Sequence, residues 1–553
     1  MAQVMSNLAG ENLQASEGIP PSSSDIGSTA GLVIDTAHRG ASQNDRSMLR
    51  WAVSAPVDPN LETIYDLPPL RARSRDLARN NPIAHGAIGL PVRNIVGPGL
   101  TLHPRLNRQF LGLSDEEGDA WETNTKTLWD FWAKYSDADV RSTENFYILQ
   151  SLAFLSVLVS GEIFVLMPMV SRPGTVCDLR IQLVEGDRVS NPQLTFDTLD
   201  RMGGIEVDIW GAPTAYWIET TPTWLNVQRT WERVEAFGKK SGRRNVFHLY
   251  DQQRPGDRRG VPYLSPVIQT LKQISRYSEA ELMAAVVAAM FTVFVTSETG
   301  EDSIVGQALP TPVIPGTTNP VGAGDGTASA NGPNAIQGIT LGNGAIVGLS
   351  PSEKIEIADP KRPNAQYEPY VNAHLRHIGM SLGIPYEVLC QHFSSSYSAS
   401  RASLLEAWRF YDERRIWFAT RFCQPIYEEW LAQMVAEGRI AAPGFFDSVE
   451  VQRAFASAEW IGASPGMLDP VRETNAAQMR ISAGLSTFER ETRTLTGGNW
   501  DHNFQQRAKE EKRRRELGLE FTTEINPVSG DDEDDDNDDE TKGEEGKGSV
   551  SKE

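Results

Sequence analysis

Residues 381–411 read SLGIPYEVLCQHFSSSYSASRASLLEAWRFY. A helix-like pattern stops at Gly383-Ile384-Pro385, a small polar loop rich in serine follows, and a long aromatic helix begins at once. From Ser381 to Ala399 the only formal charge is Glu387. Ser394, Ser395, Ser396, Ser398 and Ser400 supply small neutral hydrogen-bonding groups, and Gln391, His392 and Tyr397 add adaptable polar ones. Two kinds of segment have this character: a lid over an active site, or a loop that touches something sliding past.

Outward from this stretch, helix and strand signals alternate in blocks. On the N-terminal side, residues 1–45 are rich in Ser, Gly and Asn without periodicity and read as disordered. Helical signals begin near Pro69 in PPLRARSRDLARNN, restart after Asn81-Pro82, and end at Gly97-Pro98-Gly99. Ser114 and Glu117 form a capping-box pattern, after which Trp121, Thr125, Leu128 and Trp132 recur at helical spacing. Residues 145–159 are apolar nearly all round and predict a buried helix. Residues 161–251 hold short alternating runs (GEIFVLMPMV, LRIQLVEGDRV, VDIWG, TAYWIETTP, NVFHLYD) separated by Gly, Pro and Asp, the pattern of a small β-rich domain. Within it Leu179, Ile181 and Leu183 alternate against Arg180 and Gln182.

Helix returns at Ser265-Pro266, an N-cap with Pro at N1, and runs without a breaker to about Phe294. Residues 300–348 are crowded with Gly, Pro, Asn and Thr. A short strand, EKIEIAD, leads to a helix at 363–382. Beyond the opening loop a helix spans about 400–437, with Pro425 expected to kink it by removing a backbone hydrogen bond. Helices near 470–484 and 504–517 complete the pattern. The fold class is therefore α+β and predominantly helical.

The chain has 553 residues, 40% of them apolar, enough for substantial cores. Its formal charge of −21 is unevenly placed. Twelve acids against three lysines from Gly530 to Glu553 give that tail −9 and leave −12 for the rest. A net-acidic body argues against a tight nucleic-acid clamp, because DNA affinity comes mainly from phosphates neutralised by Lys and Arg. A protein that surrounds DNA without gripping it remains allowed. Cys177, Cys390 and Cys423 are an odd set with no close pair, which fits reduced thiols. No basic n-region precedes Arg39, and the longest apolar run, Ala284–Val295, has twelve residues, too few to span a bilayer. The expectation is a soluble, unexported chain with no membrane partner.

Enzyme signatures are sparse. No phosphate loop, G-x-S-x-G or H-E-x-x-H occurs, and EAFGKKSG lacks the leading glycine of a phosphate loop. His374, His377, Cys390 and His392 are the best zinc candidates, but C-x-H is not a standard chelate spacing and no second pair completes it. Paired acids such as Glu428-Glu429 read as solvated. The run RAKEEKRRRELG (507–518), with glutamates interleaved, reads as a solvated helix face or an intersubunit pairing surface. No cofactor is implied.

Five segments resemble the portal proteins of lambda-type tailed phages. They are RARSRDLARNNPIAHGAIGLPVRNIVGPGLTLHP (71–104), VEGDRVSNP (184–192), RPGDRRGVPYLSPVIQTLKQISRYSEAELMAAVVAAMF (254–291), SPSEKIEIADPKRPNAQYEPYVNAHLRHIGMSLGIPYEVL (350–389) and YSASRASLLEAWR (397–409). They stand in the family's order between about Arg71 and Gln506. The resemblance implies a non-enzymatic, dodecameric ring at one capsid vertex, built from wing, stem, clip and crown, through which double-stranded DNA is packaged and ejected. Its implied partners are further copies of itself, the DNA, the terminase large subunit, the major capsid protein and a head-completion or adaptor protein. The implied location is the virion's portal vertex, and the host cytoplasm during assembly.

On that plan 46–262 is wing including the β-rich part, 263–295 the first stem helix, 296–362 the clip and 363–382 the second stem helix. Residues 383–400 are the tunnel loop, with Gln391, His392, Ser394, Ser395, Ser396, Tyr397 and Ser398 at the DNA channel. Residues 401–439 are the wing helix kinked at Pro425, 440–520 wing and crown, and 521–553 an acidic disordered tail. A metal-dependent hydrolase with a Ser-rich lid and a capsid or scaffold protein without a channel are the competing readings.

Overall fold

A computed structural model describes residues 58–220, 229–290, 294–297, 353–356, 364–393, 396–467, 469–498 and 500–518. The expected N-terminal disorder, the glycine-rich stretch around 316–334, the acidic tail, and Ser394 and Ser395 lie outside the described residues. The chain divides into two units, 1–62 and 63–553.

Helix α1 (Leu67–Asn80) starts with two prolines in its first turn. Asn81 ends it in an extended conformation and opens α2 (Pro82–Pro91), its side chain accepting the Ala84 N–H. A five-residue π turn, Val92–Val96, follows and closes at Gly97, which takes positive φ. Strand β1 (Thr101–Pro104) leads to α3 (Asp115–Ala133), where Ser114 and Glu117 form the expected reciprocal cap. The buried face of α3 keeps Thr125 and Trp132 of the spacing read in the sequence but centres on Trp129, one residue beyond Leu128. Its indole packs edge-on against Phe146 (5.2 Å), Tyr427 (5.6 Å) and Trp430 (5.1 Å).

Helix α4 (Phe146–Ser160) is not buried all round. Phe146, Leu149, Ala153, Phe154 and Val157 enter the main core, whereas Ile148, Leu152 and Leu155 are exposed. The sequence pattern cannot distinguish burial within a chain from burial by a partner.

The β-rich region is two antiparallel sheets. β2 (Glu162–Leu166) lies between β3 (Gln182–Glu185) and β8 (Val246–Tyr250). β4 (Arg201–Met202), β5 (Ile205–Val207), β6 (Pro213–Glu219) and β7 (Trp231–Glu235) form the second in sequence order. Phe164, Val184, Ile205, Tyr216, Ile218 and Val246 make a small core joining them. Arg180, expected to point outward, is fully buried, and its guanidinium donates to the Asp137 carbonyl.

Ser265 does not cap a helix. A 3₁₀ turn, Ser265–Val267, precedes α5 (Ile268–Met290). The helix stops short of Phe294, because the β-branched, aromatic run there forms β9 (Phe294–Ser297). Its antiparallel partner is β10 (Glu353–Glu356), the strand expected in EKIEIAD. Helix α6 (Tyr367–Leu382) packs against α5 through Tyr277, which stacks on Tyr367 at 5.6 Å and meets Tyr370 at 4.6 Å.

Next come the short α7 (Tyr386–Cys390) and α8 (Tyr397–Phe418). A second π turn, Ala419–Cys423, joins α8 to α9 (Gln424–Ala436), with Pro425 in the first turn of α9. Helix α10 (Val449–Phe455) and strand β11 (Ala458–Ile461) then return the chain to β1, with Thr101 opposite Ile461. Helices α11 (Pro470–Ser482), α12 (Phe488–Thr496) and α13 (Trp500–Glu516) complete the described chain. Of these, α12 was not anticipated. No helix among the described residues is long and apolar enough to cross a membrane.

Candidate functional site

The segment between α6 and α8 is built by two tight reversals. At the first, Gly383 adopts φ 68° and the Ile384 N–H reaches back 2.9 Å to the Gly379 carbonyl. A Cβ on Gly379 would lie 2.5 Å from the Ile384 carbonyl oxygen, so only glycine permits this close return. Ile384 and Val388 bury themselves and anchor α7. At the second reversal Gln391 takes φ 52°, and the His392 N–H bonds the Glu387 carbonyl at 3.1 Å.

Gln391, His392 and Phe393 are then exposed, and Ser396 caps α8 by accepting the Ala399 N–H. The open part of the segment is thus shorter than 383–400. Residues 386–390 are helical, and Tyr397 and Ser398 belong to the first turn of α8 rather than to a loop. Glu387, the single charge, accepts a hydrogen bond from Ser403 Oγ of α8 at 3.2 Å. What α7 and its flanks expose is a short crest of Gln391, His392, Phe393 and Ser396, with no Lys, Arg, Asp or Glu among them, held between fixed helix ends.

The zinc candidates do not converge. His374 and His377 have ring centroids 6.1 Å apart on α6, and His392 is exposed beyond α7. Burial pushes the Cys390 thiol up, opposed by a hydrogen bond with Tyr386. Among the described residues no three His, Cys, Asp or Glu side chains form a metal-binding group. Cys177 and Cys423 are buried and free, and burial raises both thiols.

A second constellation was invisible in the sequence. Glu162, at the start of β2, is fully buried. Its carboxylate accepts from Arg71 Nη2 (2.5 Å), Arg259 Nε (2.8 Å), the Gly260 N–H (2.9 Å) and His248 Nε2 (2.9 Å). Arg71 also donates to the Ser160 carbonyl and to Asp187, and Arg259 donates to the carbonyls of Gly186 and Val189. Burial alone would raise the Glu162 carboxyl; Arg259, Arg71 and His248 overcome it and hold the group well below the usual carboxylate range. His248, stacked between Phe164 and Tyr250, is pushed down by burial despite the pull of Glu162, so its neutral ring donates from Nε2. Every oxygen of Glu162 is engaged and enclosed, which makes this a structural tie rather than a reactive site.

The tie gathers residues from three of the segments that carry the resemblance: Arg71 of RARSRD, Gly186 and Asp187 of VEGDRV, and Arg259 of GDRRG. A Cβ on Gly186 would clash with the Glu162 carboxylate, which accounts for the glycine. The Glu428-Glu429 pair also departs from expectation. Glu429 is half-buried and accepts from Arg243 Nε and the Arg244 N–H.

A family model described as phage portal protein, lambda family, matches residues 44–415. The chain is 27% identical over 458 residues to the portal protein of Escherichia phage N15, covering 81% of this chain and 84% of that protein. It is equally 27% identical to portal protein B of Escherichia phage lambda over 455 residues, again covering 81% and 84%. The probable portal protein of Halomonas phage phiHAP-1 is 23% identical over 81% of each chain. Among solved structures, one chain from the neck of a native gene transfer agent particle matches with a TM-score of 0.39 at 12% identity, covering 76% of this chain and 92% of that one. The chain belongs to the lambda family of phage portal proteins.

Proposed function

We propose that copies of this chain close into a ring at one vertex of the capsid, and that the crest between α6 and α8 lies along the bore through which double-stranded DNA passes. The crest's chemistry carries the reading. Gln391, His392 and Ser396 offer hydrogen-bonding groups to a passing backbone with no Lys or Arg among them, and the Glu387 carboxylate accepts from Ser403. Arg or Lys there would add affinity at every phosphate and oppose sliding. α5 and α6 serve as the stem pair, β9 and β10 open the clip, and the two-sheet region belongs to the wing. The terminase large subunit docks at the clip end, the adaptor protein replaces it later, and the major capsid protein surrounds the wing.

Ring closure also accounts for α5. Leu282 and Met283 are 65% and 61% exposed, and Val286 is exposed beside them. A helix with this much uncovered apolar surface calls for a neighbour, and a head-to-tail contact repeated around an axis supplies one. The chain itself performs no chemistry on this reading; packaging work is done by the motor that docks to it.

The test is assembly of the purified chain, followed by light scattering and negative-stain imaging. Closed rings with an open bore are expected. A species that stays monomeric at high concentration, with no rings on the grid, would overturn the proposal, and compact oligomers without a bore would favour a scaffold role.

A further inference from the structure

The face of the molecule formed by α1, α2 and α4 carries a groove of about 800 Å³. Ile88, Gly89 and Val92 form one wall, Leu155 and Val159 of α4 the other, and Arg79 and Arg93 stand at its edge. It continues into the exposed stripe of Ile148 and Leu152 described above. Gly89 adds to the opening, because a Cβ placed there meets nothing within 4 Å.

A second exposed apolar feature lies at one end of the four-stranded sheet. Ile209 and Trp210, at the turn between β5 and β6, are 91% and 77% exposed, and Leu199 is 93% exposed. The Val207 N–H bonds the Asp200 carbonyl at 2.8 Å, which sets the 199–200 loop beside this turn. The turn is held rigid. Asp208 Oδ1 accepts from the N–H groups of Trp210 and Ala212, and Gly211 supplies the positive φ the reversal needs. Large apolar side chains on an ordered tip lose little freedom on docking. The tip also carries the Asp208 carboxylate, whereas Asp200 is already faced by Arg201 and Arg258 of the same chain.

We infer that the tip Leu199, Ile209 and Trp210 of one copy seats in the α1–α2–α4 groove of the next copy around the ring. This inference rests on the ring proposed above. A ring needs two different complementary patches on each subunit. The apolar tip fits an apolar groove, and Asp208 on the tip complements Arg79 and Arg93 on the rim. A partner of another kind would have to match both features separately; a neighbouring copy brings them together in one contact.

Three changes test it on the full-length chain. Replacing Ile209 and Trp210 together by serine removes the tip's apolar surface at exposed positions, and Gly89→Trp fills the groove from within. Each is expected to raise the concentration needed for half-assembly by at least about tenfold, with the monomer's circular dichroism and melting unchanged. In a Cys390→Ser background, Trp210→Cys with Gly89→Cys should give a ladder of covalent multimers with a short bismaleimide, and each single cysteine should not.

Wild-type rings with unimpaired assembly of the serine variant and no ladder would overturn the tip-in-groove contact and leave the ring standing. Cross-linking confined within single chains would likewise overturn it. Absence of wild-type rings would remove the ring itself, and the contact with it. Should Gly89→Trp fail to fold, the serine variant and the ladder still decide the question.

Discussion

Removing the charge of Glu162 leaves Arg71 and Arg259 facing each other in a closed interior, with Asp187 as the nearest remaining counter-charge. Breaking a buried pair on one side costs about 3–5 kcal/mol. Glu162→Gln is expected to destabilise by about that amount, and urea unfolding would measure it; a change below about 1 kcal/mol would show that the cluster contributes little. The same cluster sets an acid limit. Glu162 titrates lower in the folded chain than in the unfolded one, so its contribution is complete above the ordinary carboxylate range and is lost as pH falls through the lower folded value. His103, on β1, adds an earlier loss. Burial, together with Lys126, Arg493 and Arg105, lowers it to about 4. The unfolded chain therefore binds this proton first, and stability should fall as pH drops from about 6.5 towards 4. Melting temperatures across that window should fall less steeply in His103→Asn than in the wild type; identical slopes would show that His103 does not titrate this way. Neither group was legible as such in the sequence. Glu162 sits in an apolar run where alternation gives no reason to expect a buried acid, and its partners come from positions 71, 248 and 259, which only the fold brings together.

At the scale of elements, helices with chemical punctuation were legible, and those set by tertiary packing were not. Pro68-Pro69, Asn81-Pro82 and Ser114-Glu117 are local signals, and the structure keeps each one. The end of α5, the short α7 and the outward face of α4 depend on what else is nearby. Pro425 shows how the two kinds of information combine. The sequence predicts a lost hydrogen bond; the structure adds that the chain has already widened to a π turn, with the Gln424 N–H bonded to the Ala419 carbonyl five residues back. A π turn is one extra residue accommodated in an α-helix, and it relieves the clash of a proline ring with the carbonyl four residues earlier. Deleting the exposed Thr420 should force Pro425 into an ordinary helix interior and cost about 3 kcal/mol. Pro425→Ala alone should cost under about 1 kcal/mol, since Phe418, Phe422 and Cys423 keep the turn packed. The deletion made together with Pro425→Ala should recover most of the loss, because α8 and α9 then continue in register. Additive losses in this double-mutant cycle would mean the π turn and the proline are unrelated.

For the whole molecule, the segments that carry the family resemblance meet in space: residues of three of them close on Glu162, and two others flank the crest between α6 and α8. The exposed apolar faces of α4, α5 and the β5–β6 tip are the features a single chain leaves uncovered, and the proposed ring would give them a partner. The proposed bore assigns the crest to the passing DNA. Arg at Gln391 and His392 would place two permanent cations per subunit where the wild type has neither Lys nor Arg, at exposed positions whose change leaves α7 and the Ser396 cap intact. Each phosphate contact so gained releases counterions and depends steeply on salt. Rings of the Gln391→Arg, His392→Arg variant should therefore form normally but pass DNA more slowly. The deficit should be largest at low ionic strength and shrink as the screening length falls from about 30 Å at 0.01 M towards about 8 Å at 0.15 M. Packaging rates measured across a salt series would decide the matter. A variant that matches the wild type at every salt concentration would place the crest away from the DNA, and the bore would then have to be lined by another part of the chain.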